Sequence, residues 1–202
     1  MANRWVWLTL FALCFSAAGL GVYSSVATAT ADLHGTRIDN PPDVRDVTLI
    51  GPDGRLRSLA EWQGRLVLVF FGYTNCPDVC PLTMAKLAET YQELGAPDDL
   101  QVIMVTVDPE HDTPERVQTY AKSFHPDFIG LTGTPEMIAQ ASARFFVASI
   151  GAEKTPDGTV AHSSHLALID GQGRMRLVYT EDKVGEVLKS DLQTLLVSER
   201  SW

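Results

Sequence analysis

Two apolar runs constrain this chain more than any other feature. "RLVLVFFGY" (65–73) and "LQVIMVTVD" (100–108) are continuous rather than alternating, rich in β-branched and aromatic residues, and too short for helices. A strand that is apolar on both faces needs cover on both faces, the setting of a central strand in an α/β sheet. Helical patterns follow each run. Met84, Leu87, Ala88, Tyr91 and Leu94 fall at helical spacing and Gly95 closes them. "DTPERVQTYAKSF" supplies Thr113 as N-cap, Pro114 at the first helical position and Glu115 in the first turn. "GTPEMIAQASARFF" uses the same helix-start punctuation, with Ile138, Ala141 and Phe145 on one face.

Around this centre, "DVTLIGPDGRLRSLAEW" alternates about a "GPDG" turn and predicts a hairpin. After the third helix come "FVASI", a polar "TPDGT" turn, and two strands, "HLALID" and "RMRLVYT", joined by "DGQG". An amphipathic stretch runs from Lys183 to Val197. Strands alternating with helices, then a hairpin and a helix, with a cysteine pair between a buried strand and the next helix, predict an α/β, thioredoxin-like fold. It carries an N-terminal β-hairpin and inserted helix and strand material before the final hairpin. Residues 32–45, with a Pro-Pro and no periodicity, read as a tether, and 46–199 as the folded domain.

Residues 1–31 read as an export signal. Arg4 is followed by an almost uncharged stretch from Trp5 to Val22. Ala27-Thr28-Ala29 and Ala29-Thr30-Ala31 offer small residues at a signal-peptidase spacing, whereas the apolar run is also just long enough to stay as a membrane anchor. Both readings stand, and both place the domain outside the cytoplasm, on the periplasmic face of an inner membrane. Leu13 is too large to precede a lipidated Cys14, which is taken as an apolar passenger. A net charge of -9 argues against binding to nucleic acid, whose phosphates would repel it.

Two cysteines then remain in an oxidising compartment, Cys76 and Cys80, within "GYTNCPDVCP". So short a loop gains little from a disulfide staple, so the pair is expected to do chemistry. Pro81 suits the first position of the helix, which places Cys80 at or near its N-cap and Cys76 in the preceding loop. A helix amino terminus there would lower a thiol pKa from about 8.5. The thiolate so favoured is both a nucleophile and a metal ligand. Three intervening residues, against two in a thioredoxin-type dithiol, suit sulfurs spread around a soft ion, and a histidine would complete the set. Of the five histidines, His34 lies in the tether and His125 at a helix exit. His111 follows a core strand, and His162 and His165 flank the start of "HLALID", too far apart in register to face one point if both are in an extended strand.

"FFGYTNCPDVCP", "VDPEHDTP" and "VAHSSHLALIDGQGR", in that order, resemble the motif segments of the Sco/SenC family of exported copper chaperones for cytochrome c oxidase assembly. The resemblance spans residues 41–197. It implies copper, as Cu(I) or Cu(II), held by Cys76, Cys80 and His162 and delivered to the dinuclear copper site of an oxidase subunit. Other copper chaperones or thiol reductants are implied as further partners, with the membrane engaged through the N-terminal segment. Asp78 occupies the family's acidic position between the cysteines. Two departures stand out: Ala161 replaces the acid that usually precedes the histidine, and His111 stands where Arg is commoner. The rival reading is a thiol:disulfide oxidoreductase in which Cys76 and Cys80 cycle through a disulfide. It requires the cysteines and not His162.

Overall fold

The computed structural model describes residues 33–147, 149–154, 160–162 and 165–197, with side chains for 33–147 and 165–197. The export segment and the "TPDGT" turn lie outside the described residues. Both apolar runs are strands, β4 (Leu66–Gly72) and β5 (Leu100–Thr106), buried at every position. They pair in parallel from Leu66↔Leu100 to Gly72↔Thr106. Their order in a six-stranded sheet is β1-β10-β9-β4-β5-β6, with β1 (Thr36–Arg37), β6 (Ile129–Leu131), β9 (His165–Ile169) and β10 (Met175–Thr180) around them. β9 runs antiparallel to β4, and β10 antiparallel to β9, the arrangement of a thioredoxin-like sheet.

Helices α1 (Val79–Glu93), α2 (Pro114–Phe124), α3 (Pro135–Arg144) and α4 (Glu186–Val197) follow the sequence signals closely. Thr113 accepts from Arg116 N and Thr134 from Met137 N, each at 3.3 Å, with proline in the first turn of both helices. Gly95, at φ 79°, ends α1 in the left-handed conformation that glycine adopts without a Cβ penalty. The "GPDG" hairpin is β2 (Thr48–Ile50) with β3 (Leu56–Ser58), a separate two-stranded ribbon whose Leu49 is buried. The backbone of β7 (Ser149–Lys154) pairs with that of β8 (Val160–His162) as a second small ribbon, the inserted strand material.

Two features differ from the sequence reading. β6 carries no pattern of its own in three residues. It exists because Gly130 lets α2 lie directly on it, where an added Cβ would stand 2.5 Å from the backbone of Val117. Residues 33–45, read as a tether, are laid along the sheet edge. Thr36 pairs with Val178, Val44 N–H donates to Gly173 O at 2.9 Å, and Val44 itself is fully buried. A two-residue strand cannot show alternation, so the Pro-Pro dominated the reading. The segment's start is held by Asp191 of α4, which accepts from His34 N, Gly35 N and the Tyr179 hydroxyl at 2.9, 3.0 and 2.8 Å.

Candidate metal centre

β4 delivers the cysteine loop to the carboxyl edge of the sheet. Cys76 N–H bonds Tyr73 O at 3.3 Å, closing a turn over residues 73–76, and α1 begins at Val79. Cys80 is therefore the second residue of the helix, not its N-cap. The N-cap is Asp78, which is exposed and makes no side-chain capping bond. Pro81 falls one position later still, where its missing N–H again costs nothing because the first turn has no intrahelical acceptors for it.

This placement brings the sulfurs together. Both cysteines are free thiols, and Cys80 N–H points at Cys76 Sγ with a separation of 3.4 Å. The pair is asymmetric: Cys76 is half-buried, whereas Cys80 is fully buried. Gly72, the last residue of β4, makes room for the inner sulfur, since a Cβ there would meet Cys80 Sγ at 3.0 Å. The expected lowering of the Cys80 pKa is overturned. Burial pushes this thiol well up, the hydrogen bond with Cys76 adds to it, and a backbone bond from Tyr73 opposes. A helix amino terminus is worth about 1 kcal/mol, less than the desolvation of a fully buried sulfur. The inner thiol therefore holds its proton until something stronger than a dipole, such as a coordinated cation, replaces it.

The histidines separate by their partners. His34 Nδ1 lies 2.9 Å from Asp191 Oδ1 at the sheet edge. His125 caps α2 and packs edge-on against Tyr91, ring centroids 4.7 Å apart, as its helix-exit position predicts. His165 Nε2 lies 2.9 Å from Phe145 O, which occupies it structurally. In the β5–α2 loop, Asp108, Glu110 and His111 each bring a ligand-type atom within 4.8 Å of the others. Bonds within the loop account for the closeness of His111 to Asp108: His111 N–H to Asp108 O at 3.2 Å, and Nδ1 to Asp108 Oδ1 at 2.9 Å.

The backbone of His162 ends β8, paired with Ser149, while its side chain lies outside the described residues. Because Leu166 sits opposite Phe70, β9 starts at the same sheet edge from which β4 gives way to the cysteine loop. Only two residues separate His162 from His165, so the three Cα-to-Cα steps alone keep its Cα within about 11 Å of that edge. The sequence reading passed over Asp112, a buried carboxylate that bonds the cysteine loop at Thr74. The only available hint is that "DPEHDTP" leads straight from a buried strand into a capped helix.

A dithiol at the strand–helix junction of such a sheet directs the comparison with known proteins. The model of the family described as SCO1/SenC matches residues 38–197. This chain belongs to the SCO1/SenC family. It is 34% identical over 161 residues to the "Protein SCO2 homolog, mitochondrial" of Bos taurus, a match covering 77% of this chain and 60% of the bovine one. Among solved structures, apo Sco1 of Thermus thermophilus is 40% identical with a TM-score of 0.72, covering 83% of this chain and 99% of that one. ScoI of Bradyrhizobium japonicum, whose structure has copper bound, is 30% identical with a TM-score of 0.65 and covers 79% and 98%. Cys76, Cys80 and His162 all fall inside the SCO1/SenC match.

Proposed function

We propose that this chain is an exported metallochaperone that holds one copper ion through Cys76, Cys80 and His162 and delivers it to the dinuclear copper site of cytochrome c oxidase. One observation carries the reading. Two unbridged cysteines meet at a helix start, with the Cys80 N–H on the Cys76 sulfur, at the edge where β9 begins. Soft thiolates with one imidazole suit Cu(I) and Cu(II), and the copper-bound Bradyrhizobium japonicum relative supports the same choice. Copper is cargo here. Loading exchanges the two thiol protons for the ion and releases them to water. Three protein ligands leave a position open to a partner's incoming sulfur, so the ion passes by ligand exchange without being freed. The apolar N-terminal stretch supports export and attachment to the membrane, on the periplasmic side where the acceptor subunit would meet the site.

A second reading, thiol:disulfide exchange on the oxidase subunit's cysteines, is favoured by the asymmetry of the pair. Cys76 is the accessible sulfur, with the Cys80 N–H directed at it. In that reaction the Cys76 thiolate attacks a disulfide of the partner and releases one partner thiolate. Cys80 then displaces the second, so the partner gains two electrons and this pair closes as a disulfide. Copper titration of the reduced chain tests the first reading. Saturation is expected at about one ion per chain, abolished by Cys76→Ser and weakened by His162→Ala. Binding that survives His162→Ala unchanged removes that ligand. In cells, oxidase activity lost with Cys76→Ser but kept with His162→Ala would favour disulfide exchange over delivery.

A further inference from the structure

The turn that carries Cys76 is held from outside by one carboxylate. Asp112, in the loop between β5 and α2, has a side chain only 1% exposed, yet it is wired to the cysteine loop rather than to its own neighbours alone. Thr74 N–H donates to Oδ2 at 2.9 Å and the Thr74 hydroxyl to Oδ1 at 2.5 Å. Thr106, at the end of β5, donates its hydroxyl to Oδ2 at 2.6 Å. Arg116 of α2 sets its Nε 3.7 Å from Oδ1 and donates to Thr74 Oγ1 at 2.8 Å. The Asp112 backbone is fixed too, with its carbonyl accepting from the Thr132 hydroxyl at 3.0 Å.

Burying a carboxylate is costly unless donors surround it, and short hydroxyl contacts of this kind are charge-assisted. Two of the three donors come from Thr74, the first of the two central residues in the turn closed by Cys76 N–H and Tyr73 O, and the third from Thr106. With Thr74 pinned at both its N–H and its hydroxyl, the turn cannot swing. Cys76 Sγ is then presented to the Cys80 N–H.

We propose that Asp112 is the positioning residue of the dithiol, acting through Thr74 to set where Cys76 Sγ sits. The proposal rests on the reading of Cys76 and Cys80 as metal ligands, and it reaches no ligand directly. A carboxylate is required because Oδ2 must accept two donors while Oδ1 takes a third, and an amide replaces one of those acceptors with a donor.

The test uses the full-length chain and three variants: Asp112→Asn, Thr74→Val and, as a buried carboxylate whose bonds go to His34, Gly35 and Tyr179 instead of the cysteine loop, Asp191→Asn. Loaded with Cu(II), Asp112→Asn and Thr74→Val are expected to shift the thiolate-to-copper absorption band and to weaken copper binding about tenfold, as loss of a ligand-orienting contact does. Asp191→Asn lowers thermal stability but leaves band and affinity unchanged. In the copper-free chain, alkylation of Cys76 by iodoacetamide, followed by mass spectrometry, is expected to quicken several-fold in the first two variants only. A wild-type chain with no thiolate-to-copper band sinks the copper reading, while the alkylation rates still decide the role of Asp112. Band, affinity and alkylation rate all unchanged in Asp112→Asn would overturn the proposal, as would equal changes in Asp191→Asn.

Discussion

Gly72→Ala is the sharpest test of how the inner sulfur is packed. An added methyl carbon would stand 2.8 Å from Phe70 Cε1, 3.0 Å from Cys80 Sγ and 3.4 Å from Met104 Cε, where comfortable carbon contacts begin at about 3.5 Å. None of these neighbours can retreat to solvent, since Phe70, Cys80 and Met104 are at most 1% exposed. Gly72 lies outside the left-handed region, so the substitution carries no backbone penalty and even gains about 0.4–1 kcal/mol by restricting the unfolded chain. Overpacking a filled core costs about 1–3 kcal/mol, so the steric term wins and the net loss is about 1–2 kcal/mol. Urea denaturation of the copper-free chain reads that loss directly. Gly171→Ala is the matched control, because its Cβ would approach nothing nearer than a backbone carbon of Gly64 at 3.4 Å. It should be neutral or gain up to about 1 kcal/mol. The Gly72 variant should also bind copper more weakly, since the sulfur must move a few tenths of an ångström. A Gly72→Ala chain as stable as wild type, with equal copper affinity, would refute the packing argument.

Asp191 should make stability acid-sensitive. Burial pushes its carboxyl up, but the His34 side chain and the N–H groups of His34 and Gly35, with the Tyr179 hydroxyl, more than offset this and hold it below the usual carboxylate range. A depressed folded-state pKa contributes stability above the unfolded value of about 4 that is lost as pH falls through the folded one. Unfolding free energies measured between pH 7 and pH 3 should therefore fall more steeply for wild type than for Asp191→Asn, which itself costs about 1–3 kcal/mol at neutral pH. Identical pH profiles would exclude the clamp as their source. At the dithiol, iodoacetamide should modify half-buried Cys76 at least about tenfold faster than Cys80, whose thiol is fully buried and pushed up by that burial. Equal rates would contradict the asymmetry that favours the disulfide-exchange reading.

Much of this fold was readable from local signals that tertiary structure had no reason to override. Continuous apolar runs became β4 and β5, and Thr-Pro-Glu openings became capped helices, because each is decided within a few residues. What escaped was whatever depends on a distant surface. β6 needs Gly130 beneath α2, and β1 needs the edge of β10. Neither carries enough residues for periodicity to register. At the site, Cys76 and Cys80 stood out by type and spacing. Their inequality did not, since it is set by Gly72 opening space for one sulfur while Asp78 takes the N-cap and moves Cys80 into the helix. Asp112 escaped for the same reason: its partners lie 38 residues upstream at Thr74 and 6 upstream at Thr106.

That inequality orders the chemistry. Cys80 is fixed on a helix, fully buried and packed against the end of β4, whereas Cys76 sits on a pinned turn with its sulfur partly open. Ligand exchange begins where an incoming sulfur can reach, so in copper delivery a partner's thiolate engages on the Cys76 side and Cys80 is the last thiolate to release the ion. In disulfide exchange the order is the same, with Cys76 attacking and Cys80 resolving. Both readings thus use the cysteines in one sequence, and both expect damage to either cysteine to abolish activity. Only a residue that copper requires and a disulfide does not can separate them, which is why His162→Ala carries more information than any substitution at the sulfurs.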